Sequence, residues 1–352
     1  MPELRTEPGA IERLRGAVAR QLGRLPASAQ VALSFRRRVV IDGQALDPTL
    51  QAVLSLRPPR DLMSAPAEVS RARFRRELIA VQGERTHVGR IDELQVDGAA
   101  GALRARHYTP PGRLSYRPAL LVYLHGGGFV LGDPDTHDEL CRLLCVETGH
   151  HVLSVDYRLA PEHQFPAPLE DAVAAFRWAA THAGSLGADP ARVAVGGDSA
   201  GGTLSALVAQ LTARDKVRPA AQLLIYPATD RSHRRPSHQL FDTGFFLSMN
   251  DVRAFHALYV GNSGAPVTDP RISPLLAPDL SGLPPALVVV AGFDVLRDEV
   301  EAYAAALTAA GTRCVVQRAP SLGHGFVNLT MVSAEADRAT RAMAAAWKEL
   351  LA

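Results

Sequence analysis

The stretch VAVGGDSAGGTLSALVAQL (Val193–Leu211) sets two polar residues, Asp198 and Ser199, between glycine pairs inside an otherwise apolar run. The apolar segment before them reads as a buried strand and the segment after them as a helix. The chain must turn from one to the other within about two residues, which forces Ser199 into a strained backbone conformation. Gly197 and Gly201 lack Cβ atoms, so strand and helix can approach closely there. Gly197-Asp198-Ser199-Ala200-Gly201 thus fits G-x-S-x-G in the strand–turn–helix context that motif requires. The hydroxyl is expected to project at the carboxyl end of a sheet, where α/β folds bind ligands. A plain tight turn is the alternative reading of any five-residue match, and the flanking elements argue against it.

Outward from this turn, strand and helix signals alternate from about residue 88. A strand running into a glycine turn is predicted at 117–128, and further strands at 150–158, 192–197, 221–228, 285–292 and 312–319. Helices are predicted at 138–149, 168–184, 200–213, 298–310 and near 333–351. Short continuous runs of Val and Leu separated by amphipathic helices indicate a mostly parallel central sheet flanked by helices, an α/β class. Residues 1–85 carry helical patterns without strand alternation, and residues 229–268 interrupt the sheet between two strands. An insertion of that length is more often functional than decorative. The expected organisation is therefore an N-terminal extension with the first part of a helical cap (1–85), a catalytic domain (86–228 and 269–352) and an inserted second part of the cap (229–268).

The composition suits a soluble globular chain. Of 352 residues, 47% are hydrophobic and 21% charged, with a net charge of +2. A chain this long buries about three quarters of its unfolded surface. The basic residues are almost all arginine, Lys216 and Lys348 being the exceptions. Three cysteines exclude a disulfide scaffold; Cys141, Cys145 and Cys314 read as buried free thiols of a reducing compartment. The N-terminus shows no apolar signal core, and no 18-residue uncharged apolar run is present. A cytoplasmic location without stable membrane insertion is expected.

A serine hydroxyl is a weak nucleophile and needs a base. His324, between glycines in SLGHGFVN (321–328), stands at the end of a predicted strand. Asp294, in VVVAGFDVLRDE (288–299), follows another strand end and can orient an imidazole; Asp298 and Glu299 better suit capping of the next helix. The order Ser199, Asp294, His324 is that of an α/β-hydrolase fold. In YLHGGGFVLGD (123–133), three glycines after a strand leave backbone N–H groups unshielded, suited, with the N–H of Ala200, to cradle an oxyanion. The run lacks the spacing of a phosphate-binding loop.

HGGG, DYRLAPEHQFP, GDSAGG, DVLRDE and HGF, in this order, resemble the hormone-sensitive-lipase-like esterases of the GDSAG branch. The resemblance covers roughly 88–350. It implies Ser199, Asp294 and His324 as the triad and Gly127, Gly128 and Ala200 as oxyanion donors. Gly126, counted with the oxyanion-hole residues, and His125 shape that loop. It implies short- to medium-chain acyl esters as substrates, no cofactor and no metal, and allows a homodimer through the last strand and helix. Val295 stands where the family usually has proline, and the extension before about residue 40 is longer than expected. A non-catalytic receptor on the same scaffold is the competing class, as in the plant gibberellin receptor, which lacks the histidine. An amidase or deacetylase shares these motifs.

The remaining features have bland readings. GDPDTHDE (132–139) gathers acidic residues and His137, which we read as helix capping beginning at Asp135 or Thr136. RARFRRE (71–77) and FRRRVV (35–40) read as solvated helix faces with at most a weak attraction to anionic lipid, and nucleic acid is not expected. Phe129, Asp198, Phe245, Phe246, Leu247 and Phe326 are candidates for the substrate pocket. For the group around Phe245 in the insertion, a small core of its own is an equal alternative.

Overall fold

The computed structural model describes residues 6–56, 61–112 and 117–352. The N-terminal part is helical, as its patterns predict. It contains α1 (Ala10–Leu22), α2 (Ala27–Leu33), a two-residue ribbon β1 (Val40–Ile41) and β2 (Gln44–Ala45), α3 (Pro48–Leu56) and α4 (Ala67–Gln82). The ribbon turns on Asp42 and Gly43, both at positive φ, the backbone of a two-residue hairpin.

The sheet follows. Its strands are β3 (Arg90–Gly98), β4 (Gly101–Thr109), β5 (Leu120–Leu124), β6 (His151–Val155), β7 (Val193–Asp198), β8 (Gln222–Ile225), β9 (Ala286–Phe293) and β10 (Cys314–Gly323). They form one eight-stranded sheet in the order β10-β9-β8-β7-β5-β6-β4-β3. β3 and β4 are antiparallel and β4 meets β6 antiparallel; every other pair is parallel. Every residue of β5, β6, β7 and β8 is buried, the condition that produced their continuous apolar runs. The β3–β4 hairpin has no such run. It lies at the sheet edge and alternates exposed and covered positions, so its signal is the weaker period-two pattern.

The crossover helices are α5 (Asp138–Thr148), α6 (Ala167–His182), α7 (Ala200–Leu211), α10 (Arg297–Ala309) and the terminal α11 (Ala334–Leu350); α8 (Pro236–Leu240) and α9 (Met249–Val260) lie in the 229–268 insertion. Right-handed crossovers put α5 on one face of the sheet and α6, α7 and α10 on the other. The packing of α11 against α5 and of α6 against α7 agrees. The insertion reaches the N-terminal part through Ser248, whose hydroxyl donates to Asp61 at 2.8 Å, and Asp251, which accepts the Met63 N–H at 3.1 Å.

Three sequence expectations change here. α5 begins at Asp138, not at Asp135 or Thr136, because Thr136 and Asp133 close a turn on each other ahead of it. The arginines of 71–77 are not a solvated face. Arg71 donates to the carbonyls of Val130 and Ala160 at 2.6 and 2.5 Å, and Arg75 pairs with Asp133 and Asp135 at 2.5 and 2.7 Å. These contacts pin α4 to the loop after β5. Residues 35–40 are coil leading into β1, not helix.

Buried histidines give the fold a pH dependence. Burial pushes His107, His125 and His150 down to about 4, helped by the charge of His151, His137 and Arg192 respectively. Unfolded histidine takes a proton near pH 6.5. Between 6.5 and 4 the unfolded chain therefore binds more protons, and stability falls with pH by about 1.4 kcal/mol per pH unit per excess proton. Asp156, raised to about 6 by burial, offsets part of this. Calorimetric Tm should fall steadily from pH 7 to pH 4.5; a flat profile would contradict the neutral state of these rings.

Candidate active site

The turn predicted from the sequence is present. Ser199 follows β7 and precedes α7 at φ 53° and ψ −120°, a conformation costing a non-glycine residue on the order of 1–3 kcal/mol. It is held by its N–H donating to Ile225 O at 2.8 Å and its carbonyl accepting from Thr203 at 2.9 Å. The close approach read from the glycines is real. A Cβ on Gly197 would lie 2.1 Å from the Leu124 carbonyl oxygen, and one on Gly201 only 1.8 Å from it.

Asp294 and His324 leave adjacent parallel strands at one level. The β9–β10 register pairs Phe293 with Gly323 after an irregularity that follows Ala319, so the next residue of each strand stands beside the other. His324 Nδ1 lies 2.7 Å from Asp294 Oδ2 and Nε2 lies 2.9 Å from Ser199 Oγ. The Asp294 side chain is fully buried, and its second oxygen accepts the Leu296 N–H at 3.0 Å. A carboxylate can only accept, so it fixes the Nδ1–H tautomer and leaves Nε2 free to take the hydroxyl proton. This arrangement can perform nucleophilic acyl transfer.

The glycine turn after β5 faces the same point. Gly127 and Gly128 sit at φ 119° and 63°, and among the described residues no acceptor takes either N–H. Ala200 is the first residue of α7, where a helix has no internal acceptor for the N–H. Gly126 differs. Its N–H donates to Asp198 Oδ1 at 2.9 Å, so the donor expected of it in the oxyanion hole is already engaged.

Asp198 is the centre of a buried network that the sequence did not foretell. Besides Gly126 it accepts from Tyr123 Oη at 2.6 Å, and His137 Nε2 lies 3.2 Å away. Burial pushes the Asp198 carboxyl up, but the His137 charge and these hydrogen bonds outweigh it and leave its pKa lowered. Burial likewise opposes protonation of His137, and the Asp198 carboxylate overcomes it. Next to this pair, His125 stacks on Tyr157 with centroids 4.4 Å apart, and the Tyr157 hydroxyl donates to His125 O at 2.6 Å. Tyr123, His137 and Asp198 come from β5, the loop before α5 and β7, so no local pattern links them.

Above Ser199 opens a cavity of about 490 Å³ with mainly apolar walls. Leu14 and Val18 of α1, Phe74 and Leu78 of α4, and Phe246 and Leu247 of the insertion line it, with Ser199, His324, Asp198 and His137 at its base. The pocket candidates therefore divide. Phe246, Leu247 and Asp198 reach the cavity. Phe245 packs on Phe241 and Phe293 instead, Phe129 stacks on Tyr259 at 3.9 Å, and Phe326 is buried against Tyr226. Phe255, not anticipated, lines the cavity beside Gly128.

Comparison with known proteins agrees with this geometry. A family profile described as alpha/beta hydrolase fold matches residues 121–328. The chain is 50% identical to the carboxylic ester hydrolase LipN of Mycobacterium tuberculosis over 321 residues, covering 87% of this chain and 83% of that one. It is 39% identical to an ethyl acetate hydrolase of Pseudomonas putida, covering 77% and 86%. An ester hydrolase from the metagenome of Lake Arreo, solved with a bipyridine phosphonate derivative, superposes with a TM-score of 0.82 at 41% identity, covering 86% and 98% of the two chains. Buried strands, a serine turn at their carboxyl ends and this degree of kinship lead to one assignment: the chain belongs to the α/β-hydrolase fold family and, within it, to the hormone-sensitive-lipase-like carboxylic ester hydrolases.

Proposed function

We propose that the protein hydrolyses short- to medium-chain acyl esters with Ser199 as nucleophile, His324 as general base and acid, and Asp294 as the group that orients it. The observation that carries this reading is the continuous hydrogen-bonded chain Ser199–His324–Asp294. Ser199 Oγ attacks the ester carbonyl as its proton passes to His324 Nε2. The oxyanion of the tetrahedral intermediate rests on the N–H groups of Gly127, Gly128 and Ala200, each such donor worth about 3 kcal/mol. His324 returns the proton to the alkoxide oxygen, the C–O bond breaks, and an acyl-enzyme remains. Water, deprotonated by His324, then attacks the acyl carbon and releases the acid and free Ser199.

Residues 1–85 and 229–268 act as the cap and 86–228 with 269–352 as the catalytic domain. Supporting this, α1, α4 and the insertion all line the cavity over Ser199. A volume of about 490 Å³ lies in the range of small-molecule sites and favours a single acyl chain of modest length. Asp198 is a positioning residue in this scheme. It couples the nucleophile, one residue ahead, to the loop of Gly127 and Gly128 through the Gly126 N–H.

With p-nitrophenyl esters from C2 to C16, kcat/KM should peak at short to medium chains and fall at the long end. Ser199→Ala should lose on the order of 10⁶-fold in kcat; a variant as fast as the parent would sink the assignment of the nucleophile. Asp198→Asn keeps an acceptor for Gly126 but removes the charge facing His137. Its kcat should drop by on the order of 10²-fold, the scale of one misplaced oxyanion donor, while KM for a short ester stays within about threefold. A large rise in KM at unchanged kcat would instead make Asp198 a substrate contact.

A further inference from the structure

The first helices carry a surface that the reaction does not use. Between Ala10 and Val40 the chain holds seven arginines and one acid, Glu12. Glu12 is engaged with Arg76 and the Gly9 N–H. Arg13, Arg15, Arg24, Arg36, Arg37 and Arg38 are exposed, and among the described residues none of them forms an ion pair. Arg71 and Arg75 of α4, by contrast, are tied to the loops after β5 and β6.

Large apolar side chains are exposed among these free charges. Ile11, Leu14 and Val18 fall at i, i+3 and i+7 of α1, on one face, and Leu14 is 65% exposed. Phe35, directly before the three arginines, is 87% exposed. α1 and α2 form one unit, since the Gln30 side-chain amide donates to the carbonyls of Leu22 and Leu25 at 3.0 and 2.9 Å. The surface is also joined to the active-site cavity, because Leu14, Arg15 and Val18 belong to both.

We propose that Ala10–Val40 is a docking surface for an anionic lipid layer, and that docking brings acyl esters held in that layer to the cavity mouth. Exposed cations interleaved with exposed apolar groups match anionic headgroups lying above acyl chains. A nucleic acid would pair the arginines and leave Leu14 and Phe35 in water. A second copy of the chain would set two strongly cationic surfaces against each other. The delivery step rests on the esterase reading above; the docking step does not.

The test uses the full chain in co-sedimentation with vesicles of phosphatidylcholine, with and without phosphatidylglycerol. Binding should need phosphatidylglycerol and weaken as salt rises. Neutralising three surface charges in R36Q/R37Q/R38Q should weaken it about a hundredfold, and Phe35→Asp should weaken it as well. The triple variant should hydrolyse a water-soluble acetate ester at the parental rate but a vesicle-dissolved ester more slowly. Equal binding to both vesicles, parental binding by the triple variant, tighter binding to RNA than to vesicles, or a dimer dispersed by the same variant would each overturn the proposal. If the parent fails on the soluble ester, the esterase reading falls, and vesicle binding still decides docking.

Discussion

The carbonyl of Leu124, at the end of β5, is the contact around which this structure is arranged. Gly197 and Gly201 come so close to that oxygen that neither can carry a Cβ. The approach brings the end of β7 and the start of α7 against the neighbouring strand, and only a sharp reversal at residue 199 lets the chain pass. The positive φ of Ser199 follows from that constraint. A strained residue persists only where its surroundings over-determine it, and here the surroundings are the fully buried centre of an eight-stranded sheet. The sheet's packing energy thus holds the hydroxyl in place.

The second tie is electrostatic. Asp198 and His137 are both buried, and removing two charges from water costs several kcal/mol per ion unless good geometry and further hydrogen bonds compensate. Asp198 meets that condition, with Tyr123, Gly126 and His137 around one carboxylate. Such a pair adds little net stability compared with apolar residues of similar volume, while losing one partner would strand the other charge. Its effect is geometric: it fixes the spacing between the Ser199 turn and the glycine turn. An oxyanion site needs donors held within tenths of an ångström before the charge develops.

How much of this was legible in the sequence depends on the range over which each signal acts. The turn at Ser199 is a local event with local causes, and five residues with the strand and helix signals on either side sufficed to read it. Asp294 and His324 were legible because each directly follows a strand and the fold fixes their order. The Asp198 network was not, since Tyr123, His137 and Asp198 are brought together only by the strand order β7-β5 and the loop before α5. The β3–β4 hairpin was missed for a different reason, its half-exposed residues giving no apolar run. Phe245 and Phe246 show the limit most sharply. Adjacent and chemically identical, one joins Phe241 and Phe293 while the other faces the cavity.

The arginines extend the same argument to charge. RARFRRE and FRRRVV look alike as strings, yet Arg71 and Arg75 find carbonyls and carboxylates some sixty to ninety positions away in sequence, while Arg36, Arg37 and Arg38 face solvent. What separates them is the presence of an acidic surface opposite. The loop after β5 supplies Asp133 and Asp135 to α4, and these contacts clamp the N-terminal helices beside the glycine turn, since Arg71 also holds the Val130 carbonyl. α1 meets α4 through the pair of its own Glu12 with Arg76, and among the described residues Arg13 and Arg15 form no ion pair. The first helices are therefore anchored from α4 inward and left cationic outward. Anchoring and exposure together let one small helical layer wall the cavity with Leu14 and Val18 while its unpaired arginines stay in solvent.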